Sequence, residues 1–194
     1  MPVAPPPAAT LRHCAVLHVI VPEFGAVLSA ENPEAAELAR HRTLDAFDAI
    51  AAGGGRLGAM GNELAYAFGE IVSDEAPAVS AVQVGMEMVR TGAAGGVHAG
   101  DSITGDGIGQ GPLGFLARHI ARAAQPGEVR LSGLAQAECH GSIDLERMPD
   151  LEITGLGAAL RLWRPVSNRT ERRHGWAARR SRGLSRFVGR QGEL

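Results

Sequence analysis

The chain of 194 residues contains no lysine, so all 19 of its basic residues are arginines. Mechanisms that depend on a lysine amine are therefore excluded, including the Walker A phosphate loop and Schiff-base chemistry with pyridoxal phosphate. Cysteine is almost as scarce, since Cys14 and Cys139 are the only two. Two cysteines in a chain of this length do not form the disulfide framework of a small secreted protein.

Each cysteine has a histidine beside it, and four residues therefore raise the question of a zinc site: His13, Cys14, Cys139 and His140. Adjacent residues on a strand point to opposite faces, so neither pair is suited to chelate one ion. The ligand spacings of known zinc sites are also missing. We therefore expect two ordinary buried cysteines, no bound metal and no cofactor.

Long hydrophobic runs are missing as well. The longest apolar stretch, Cys14–Leu28, is interrupted by His18, Pro22 and Glu23, so it cannot span a bilayer. Residues 1–10 are rich in proline and alanine and lack the basic and apolar regions of a signal peptide. A cytoplasmic location is the expectation that follows.

Charge is unevenly distributed along the chain. Residues 1–164 contain 11 Arg and 19 Asp or Glu, a net charge of −8, whereas residues 165–194 contain 8 Arg and 2 Glu, a net charge of +6. We predict a disordered Pro- and Ala-rich lead over residues 1–11 and a single domain over residues 12–164. The Arg-rich remainder is predicted to be a disordered tail.

The Arg-rich tail also contains Trp176 and Phe187, which leaves several alternatives open. It binds nucleic acid through phosphate contacts and stacking, docks on anionic lipid, or pairs with the acidic body or another subunit. The arginines that would contact nucleic acid are Arg169, Arg172, Arg173, Arg179, Arg180 and Arg182. No folded nucleic-acid-binding motif accompanies them, which favours a solvated tail.

Hydrophobic periodicity and turn residues predict an α+β fold. The predicted elements are strands at Leu11–Val21, Arg56–Met60, Glu63–Phe68, Gly95–Gly100 and Glu128–Ser132, helices from Asn32, from Ser73 and over Gly111–Ala124, and a closing hairpin at Leu151–Trp163. The order strand, helix, hairpin, helix, strand is that of the βαββαβ core of ferredoxin-like folds.

One segment adds a more specific indication of the fold. Gly96–Ser132 reads GVHAGDSITGDGIGQGPLGFLARHIARAAQPGEVRLS. It resembles the signature of class III nucleotidyl cyclases, which runs Val/Ile-His-x-Gly, a short hairpin, Gly-Pro-x-Val-Asn-x-x-x-Arg, then Pro-Gly-Glu and a strand. The residues in register are His98, Gly100, Gly111, Pro112, Pro126, Gly127 and Glu128. The resemblance implies the adenylate and guanylate cyclase homology domain of the bacterial type, with its C-terminal hairpin.

The same resemblance implies that the catalytic residues have been replaced. Members of the family use two Asp to hold two Mg²⁺, a Lys and an Asp or Thr to read the base, and an Asn and an Arg at the transition state, at a site between two facing subunits. Here these positions fall on Ile20 and Asn62, on Gly58 and Ile108, and on Phe115 and His119. Loss of one transition-state donor costs about a hundredfold in rate, and loss of an arginine on the order of 10³ to 10⁵.

We therefore predict an inactive cyclase-like domain, a pseudoenzyme that acts as a regulatory or dimerisation module. Phe115 and His119 lie one helical turn apart, so both would face one surface, which favours a homodimer or a heterodimer with another cyclase-like domain. One alternative is an active cyclase with a metal site rebuilt around Asn62, Asp101 and Asp106. Another is a nucleic-acid-associated factor that works through the tail.

Overall fold

The computed structural model describes residues 11–22, 32–70, 72–103 and 111–168. Their strands are β1 Leu11–Ile20, β2 Gly55–Met60, β3 Glu63–Phe68, β4 Ala94–Ile103, β5 Val129–Ser132, β6 Ile143–Leu151 and β7 Leu160–Asn168. Their helices are α1 Pro33–Ile50, α2 Pro77–Met88, α3 Pro112–Ala123 and α4 Gly133–Cys139. In these ranges no helix is both long enough and apolar enough to cross a membrane.

All seven described strands form one sheet in the order β2-β3-β1-β4-β5-β7-β6. The central strand β1 is antiparallel to both β3 and β4, and β2 is antiparallel to β3. These four strands with α1 and α2 form the βαββαβ core, so the predicted α+β class and ferredoxin-like order are confirmed. Beyond this core, β5 runs parallel to β4, and β6 and β7 form the closing hairpin.

The two faces of the sheet are covered differently, because alternate residues of β1 point to opposite sides. Leu17 and Val19 pack in a large apolar cluster that includes Val82 of α2 and residues of α1 and α4. Cys14 and Val16 pack in a smaller cluster with Leu113 and Ala117 of α3. We call this second side the α3 face, since α3 is the helix that covers it among the described residues.

The position of α3 depends on a glycine in β4. A Cβ added to Gly96 would overlap the backbone nitrogen of Ala121 and the backbone oxygen of Ala117, so only glycine allows this approach. Gly111, just before α3, and Pro112 at its first position begin the helix. The helix is thereby held against the middle of the sheet with its side chains at fixed places.

Several predicted elements agree closely with the structure and two were missed. Asn32 caps α1 as predicted, its side-chain oxygen accepting the Glu34 and Ala35 N–H groups at 3.1 and 3.2 Å. The second helix starts at Pro77 rather than near Ser73, because the Asp74 carboxylate accepts the Ala76 N–H and forms a turn there.

The C-terminal part of the domain differs more from the prediction. Neither α4 nor most of β6 was predicted, so the segment Leu151–Trp163 contains only the end of β6, the turn and the start of β7. The strand β7 continues to Asn168, past the predicted end of the domain at residue 164.

The two outer strands of the described sheet differ in character. β6 contains Pro149, four charged residues and two register shifts against β7: its charged residues are Asp144, Glu146, Arg147 and Asp150. β2 contains one charged residue, Arg56, no proline and one register shift. Charges, prolines and bulges are the features that keep an exposed edge from pairing with another strand.

Candidate functional site

The sheet brings together the two positions that the resemblance assigns to the metal-binding aspartates. Ile20 ends β1 and pairs with Glu63, and Asn62 lies in the turn that precedes Glu63. The Val21 N–H donates a hydrogen bond to the Asn62 carbonyl oxygen at 2.8 Å. The two side chains at this place are an isoleucine and a neutral amide, so neither supplies a carboxylate.

Two further predicted positions, Gly58 and Phe115, line one groove between α3 and the β2-β3 hairpin. The groove has a volume of about 490 Å³, and its lining also includes His18, Glu63 and Arg118. Gly58 leaves open space where a side chain would stand.

The aromatic pair predicted on α3 is present. The rings of Phe115 and His119 are 4.4 Å apart at an angle of 55°. Phe115 is 46% exposed, which makes it one of the large apolar side chains that the described domain leaves open to solvent. One face of α3 therefore presents both rings, as the spacing predicted.

Other predicted residues lie outside the described residues. These are Ile108, the acid Asp106, and the tail arginines Arg169, Arg172, Arg173, Arg179, Arg180 and Arg182. Their predicted roles in base recognition, metal binding and nucleic-acid contact stay predictions.

The main residue that the sequence analysis missed is Glu63. It is the first residue of β3, is only 8% exposed, and points to the α3 face. Its Oε2 lies 2.6 Å from the Arg118 Nε. Its Oε1 accepts two hydrogen bonds from Arg122, from Nη2 at 2.8 Å and from Nε at 3.1 Å. A carboxylate next to the turn of the hairpin is thus held by two guanidinium groups of α3.

The charges of this cluster follow from its contacts. Burial raises the pKa of Glu63, but the guanidinium groups of Arg122 and Arg118 outweigh it and hold that pKa below its usual value. Burial lowers the pKa of His18 to about 4, although its Nε2 lies 3.3 Å from Glu63 Oε2. At neutral pH the cluster therefore combines one carboxylate, two guanidinium groups and a neutral imidazole.

The contact between Glu63 and Arg118 is an ion pair without a well-aligned hydrogen bond. Three buried atoms meet here without such a bond among the described residues, namely His18 Nε2, Glu63 Oε2 and Arg118 Nε. The short distance and opposite charges maintain the attraction even though the N–H does not point along the line to the oxygen. This carboxylate is occupied by cations that the protein itself provides.

Signals for the cluster were present in the sequence. His18 interrupts an apolar strand, Glu63 follows the Gly-Asn turn, and Arg118 and Arg122 are four residues apart on a helix. To predict that these residues are in contact, one must know that α3 crosses the face of the sheet onto which His18 and Glu63 both point.

A second polar cluster lies at the other end of β1. The Nδ1 of His13 is 2.7 Å from Asp101 Oδ1 in β4, and its Nε2 is 2.5 Å from Glu138 Oε1 in α4. Burial lowers the pKa of His13, but the bonds to Glu138 and Asp101 outweigh it and raise the pKa above its usual value. The imidazole thereby links three elements, β1, β4 and α4.

This placement rules out one version of the rebuilt metal site. Asp101 pairs with His13 in the sheet, whereas Asn62 contacts Val21. Eight residues of strand separate His13 from Val21, about 26 Å at the usual rise of a strand. Asn62 and Asp101 therefore cannot bind one metal ion.

The cysteines and histidines of the zinc question are also separated. Cys14 packs on the α3 face, and Cys139 packs in the large cluster on the opposite face. Both cysteines are buried, and burial raises the pKa of the Cys139 thiol to about 12. Within the described ranges no group of three or more potential ligands could hold a metal ion.

Comparison with known proteins places this arrangement in a known fold. No protein family and no curated protein sequence matches the chain. Among solved structures, the adenylyl cyclase CyaB from P. aeruginosa matches with a TM-score of 0.71 and 17% identity, over 83% of this chain and 97% of that one. The guanylate cyclase domain of RhGC from Catenaria anguillulae, in complex with GTP, matches with a TM-score of 0.69 and 13% identity, over 82% and 100%.

A third match is a non-canonical dimeric guanylyl cyclase domain of the RhoGC fusion protein from Blastocladiella emersonii, with a TM-score of 0.68 and 11% identity over 82% and 99% of the chains. The chain thus has the fold of the class III adenylyl and guanylyl cyclase domains. The resemblance seen in Gly96–Ser132 is confirmed at the level of the fold.

Proposed function

We propose that this chain is a catalytically inert domain of the nucleotidyl cyclase fold, which acts as a dimerising regulatory module. One observation carries the proposal. Among the described residues that line the groove beside α3, Glu63 is the only acid, and Arg118 and Arg122 already neutralise it. A divalent cation would have to displace both guanidinium groups to use this carboxylate.

The neighbouring positions support the loss of metal chemistry. Mg²⁺ is held by carboxylates and other oxygen ligands in near-octahedral geometry. The Ile20 side chain offers no oxygen and the Asn62 side chain offers one neutral amide oxygen, although the sheet holds the two residues on neighbouring segments. Without the ions, the triphosphate would lack a bridge between its charged oxygens, and the attacking hydroxyl would not be activated.

The exposed apolar groups of the groove support dimerisation. Phe115 is 46% exposed and Met60, at the end of β2, is 66% exposed, and both line the groove. An apolar patch beside a polar cluster is typical of a protein interface. One similar solved domain is described as dimeric. A second copy, or another domain of the same fold, would cover the patch.

The test of inertness is an assay for cyclic product. Purified protein is incubated with ATP or GTP and Mn²⁺, and the mixture is analysed for cyclic nucleotide. We expect no product above a control without protein. Product that co-elutes with the protein through a second purification step would contradict the proposal and support the alternative of an active enzyme.

The test of dimerisation is sedimentation equilibrium at micromolar concentration. We expect Phe115→Arg to weaken self-association at least about tenfold, because it replaces an apolar anchor by a cation next to Arg118 and Arg122. Leu134→Arg is the matched control, since Leu134 of α4 is 60% exposed and lies outside the groove. A wild-type chain that sediments only as a monomer would contradict the dimeric form of the proposal.

A further inference from the structure

The sheet contains a gap between β5 and β7. These strands pair at two positions only, Leu131 with Trp163 and Ser132 with Leu162. Beyond them β7 continues along β6 to Asn168, while the start of β5 stays beside β4. The strands therefore diverge and leave a wedge-shaped cleft of about 630 Å³, which is separate from the groove beside α3.

The cleft has an apolar floor and a paired polar rim. The floor is formed by residues of α2, β5, β6 and β7, together with the turn after α2, among them Met86, Val89, Val129, Met148 and Val166. On the rim, Glu128 is paired with Arg130 at 2.9 Å and Glu146 with Arg164 at 2.7 Å. Val166 is 62% exposed, although it lies within β7, two residues before the end of the strand. An apolar surface of this kind inside a sheet is suited to an extended segment with a large apolar side chain.

We propose that the chain's own segment 169–194 docks in this cleft, with Trp176 as its apolar anchor. The first argument is continuity, because β7 lines the cleft and leads directly into this segment. Trp176 is eight residues beyond Asn168, which is about 26 Å when extended and leaves room for a turn back along β7. The segment therefore needs no long loop to reach the floor.

The second argument is charge. The segment contains 8 Arg and 2 Glu, whereas residues 1–168 contain 11 Arg and 19 Asp or Glu. The charges at the cleft itself are balanced, because its arginines Arg90, Arg130 and Arg164 each pair with a glutamate. The attraction comes from the net negative charge of the domain as a whole, and attachment to the same chain makes the encounter intramolecular. This inference does not depend on the proposed inert function.

The test uses the full chain and its two tryptophans. Trp163→Phe leaves Trp176 as the only tryptophan, so its fluorescence reports the segment directly. We expect a blue-shifted emission and an acrylamide quenching constant at least about twofold lower than in the denatured chain. Emission typical of a fully exposed indole in the folded chain would overturn the proposal.

A second substitution in the same background locates the docking site. Val166→Arg places a cation in the cleft at an already exposed position, so the fold is retained while the Arg-rich segment is repelled. We expect this variant to return the Trp176 emission and quenching to the values of an exposed indole. Leu134→Arg, at a position of similar exposure on α4, is the matched control and leaves both unchanged.

Two other results would overturn the inference. Protection of Trp176 that grows with protein concentration would show that the segment occupies a second copy rather than its own chain. Protection that is insensitive to Val166→Arg would show that it docks elsewhere. Docking of the segment is distinguished from dimerisation by repeating the fluorescence measurement in the Phe115→Arg variant. The protection of Trp176 should be unchanged there, because the cleft and the groove share no lining residue.

Discussion

Glu63 is buried and nevertheless ionised, because Arg118 and Arg122 both bring a guanidinium group to its carboxylate. The contacts of Glu63 with both arginines stabilise the fold because they join β3 to α3. Removal of the Glu63 carboxylate would leave two cations near the α3 face without a counter-charge. Because Arg118 and Arg122 are partly open to solvent, part of that cost would be recovered by hydration.

We expect Glu63→Gln to lower the free energy of unfolding by about 1–3 kcal/mol, the cost of leaving two partly exposed guanidinium groups without their carboxylate partner. Glu146→Gln is the control, since it removes the same group from a pair with Arg164 in which both side chains are about half exposed. That change is expected to cost less than about 1 kcal/mol. The measurement is chemical denaturation of both variants, and equal losses would contradict a special role for Glu63.

His13 is the second residue with a measurable consequence, because Asp101 and Glu138 contact both of its ring nitrogens. These contacts hold the pKa of His13 above its usual value against the effect of burial. A raised pKa in the folded state adds stability that is fully present below the unfolded pKa of about 6.5. This stability is lost as the pH rises through the folded pKa.

We expect His13→Gln to remove this pH dependence. Wild-type and variant stabilities are measured by denaturation from pH 6 to pH 9. The difference should be largest at pH 6 and should shrink as the pH rises, with a maximum of less than about 1 kcal/mol because His13 is half exposed. A difference that grows with pH would have the wrong sign. His18 and His98, whose pKa values burial lowers to about 4, act mainly below pH 6.5.

The groove depends on the position of α3. Gly96 of β4 determines how closely this helix approaches the sheet. The backbone atoms of Ala117 and Ala121 lie where a Cβ of residue 96 would be. Any side chain there must push the helix away from the sheet, and the helix carries Phe115 and Arg118 with it. Packing at this one contact thus determines the shape of the groove.

We expect Gly96→Ala to lower the free energy of unfolding by about 3 kcal/mol, at the upper end of the usual cost of overpacking, because backbone rather than a flexible side chain must move. Gly58→Ala is the matched control in another strand, with nothing within 4 Å of the added Cβ. It is expected to change stability by less than about 0.5 kcal/mol. Equal thermal shifts of the two variants would contradict the close approach.

Sequence patterns predicted the elements that have a clear apolar run, turn or start signal, including the short strands β3 and β5. The apolar run of β1 and the Asn-Pro start of α1 are examples, and both are confirmed. The helix α4 has seven residues, which is too few to show a 3.6-residue period. β6 is an exposed edge strand with a proline and four charges, so it has the composition of a loop.

The candidate site was predictable from the sequence only in part. The proximity of the positions Ile20 and Asn62 followed from matching short motifs on neighbouring strands, and the sheet brings them together. The contact of Glu63 with Arg118 and Arg122 did not follow from the sequence. The two arginines are 55 and 59 residues further along the chain, and they reach Glu63 only because α3 crosses that part of the sheet. No local sequence pattern predicts such a crossing.

At the scale of the whole molecule, the fold retains the frame for two metal ligands while the side chains do not supply them. We expect Mn²⁺ to leave the Tm of the wild-type chain unchanged, and to raise the Tm of the double variant Ile20→Asp with Asn62→Asp. If Mn²⁺ binds only the folded state, it raises the free energy of unfolding by about 2.7 kcal/mol when its concentration is a hundred times the Kd. The measurement is a thermal shift series with increasing Mn²⁺.

The control for this series is Asn62→Asp combined with Ile103→Asp, which adds the same charges at opposite ends of the sheet. Ile103 is 45% exposed, so this substitution is tolerated at the surface. A Tm that rises equally in both double variants would mean that Mn²⁺ binds acids non-specifically. A rise in the wild-type chain would contradict the proposed loss of metal binding.

The difference between the two outer strands limits how copies of this domain can join through their backbones. β6, with Pro149, its charges and its two register shifts, rejects an incoming strand, whereas β2 has few such obstacles. If two molecules joined through β2, the edges left at both ends of the pair would be β6 edges. Fibril growth needs an accepting edge at each step, so it would stop at the second molecule.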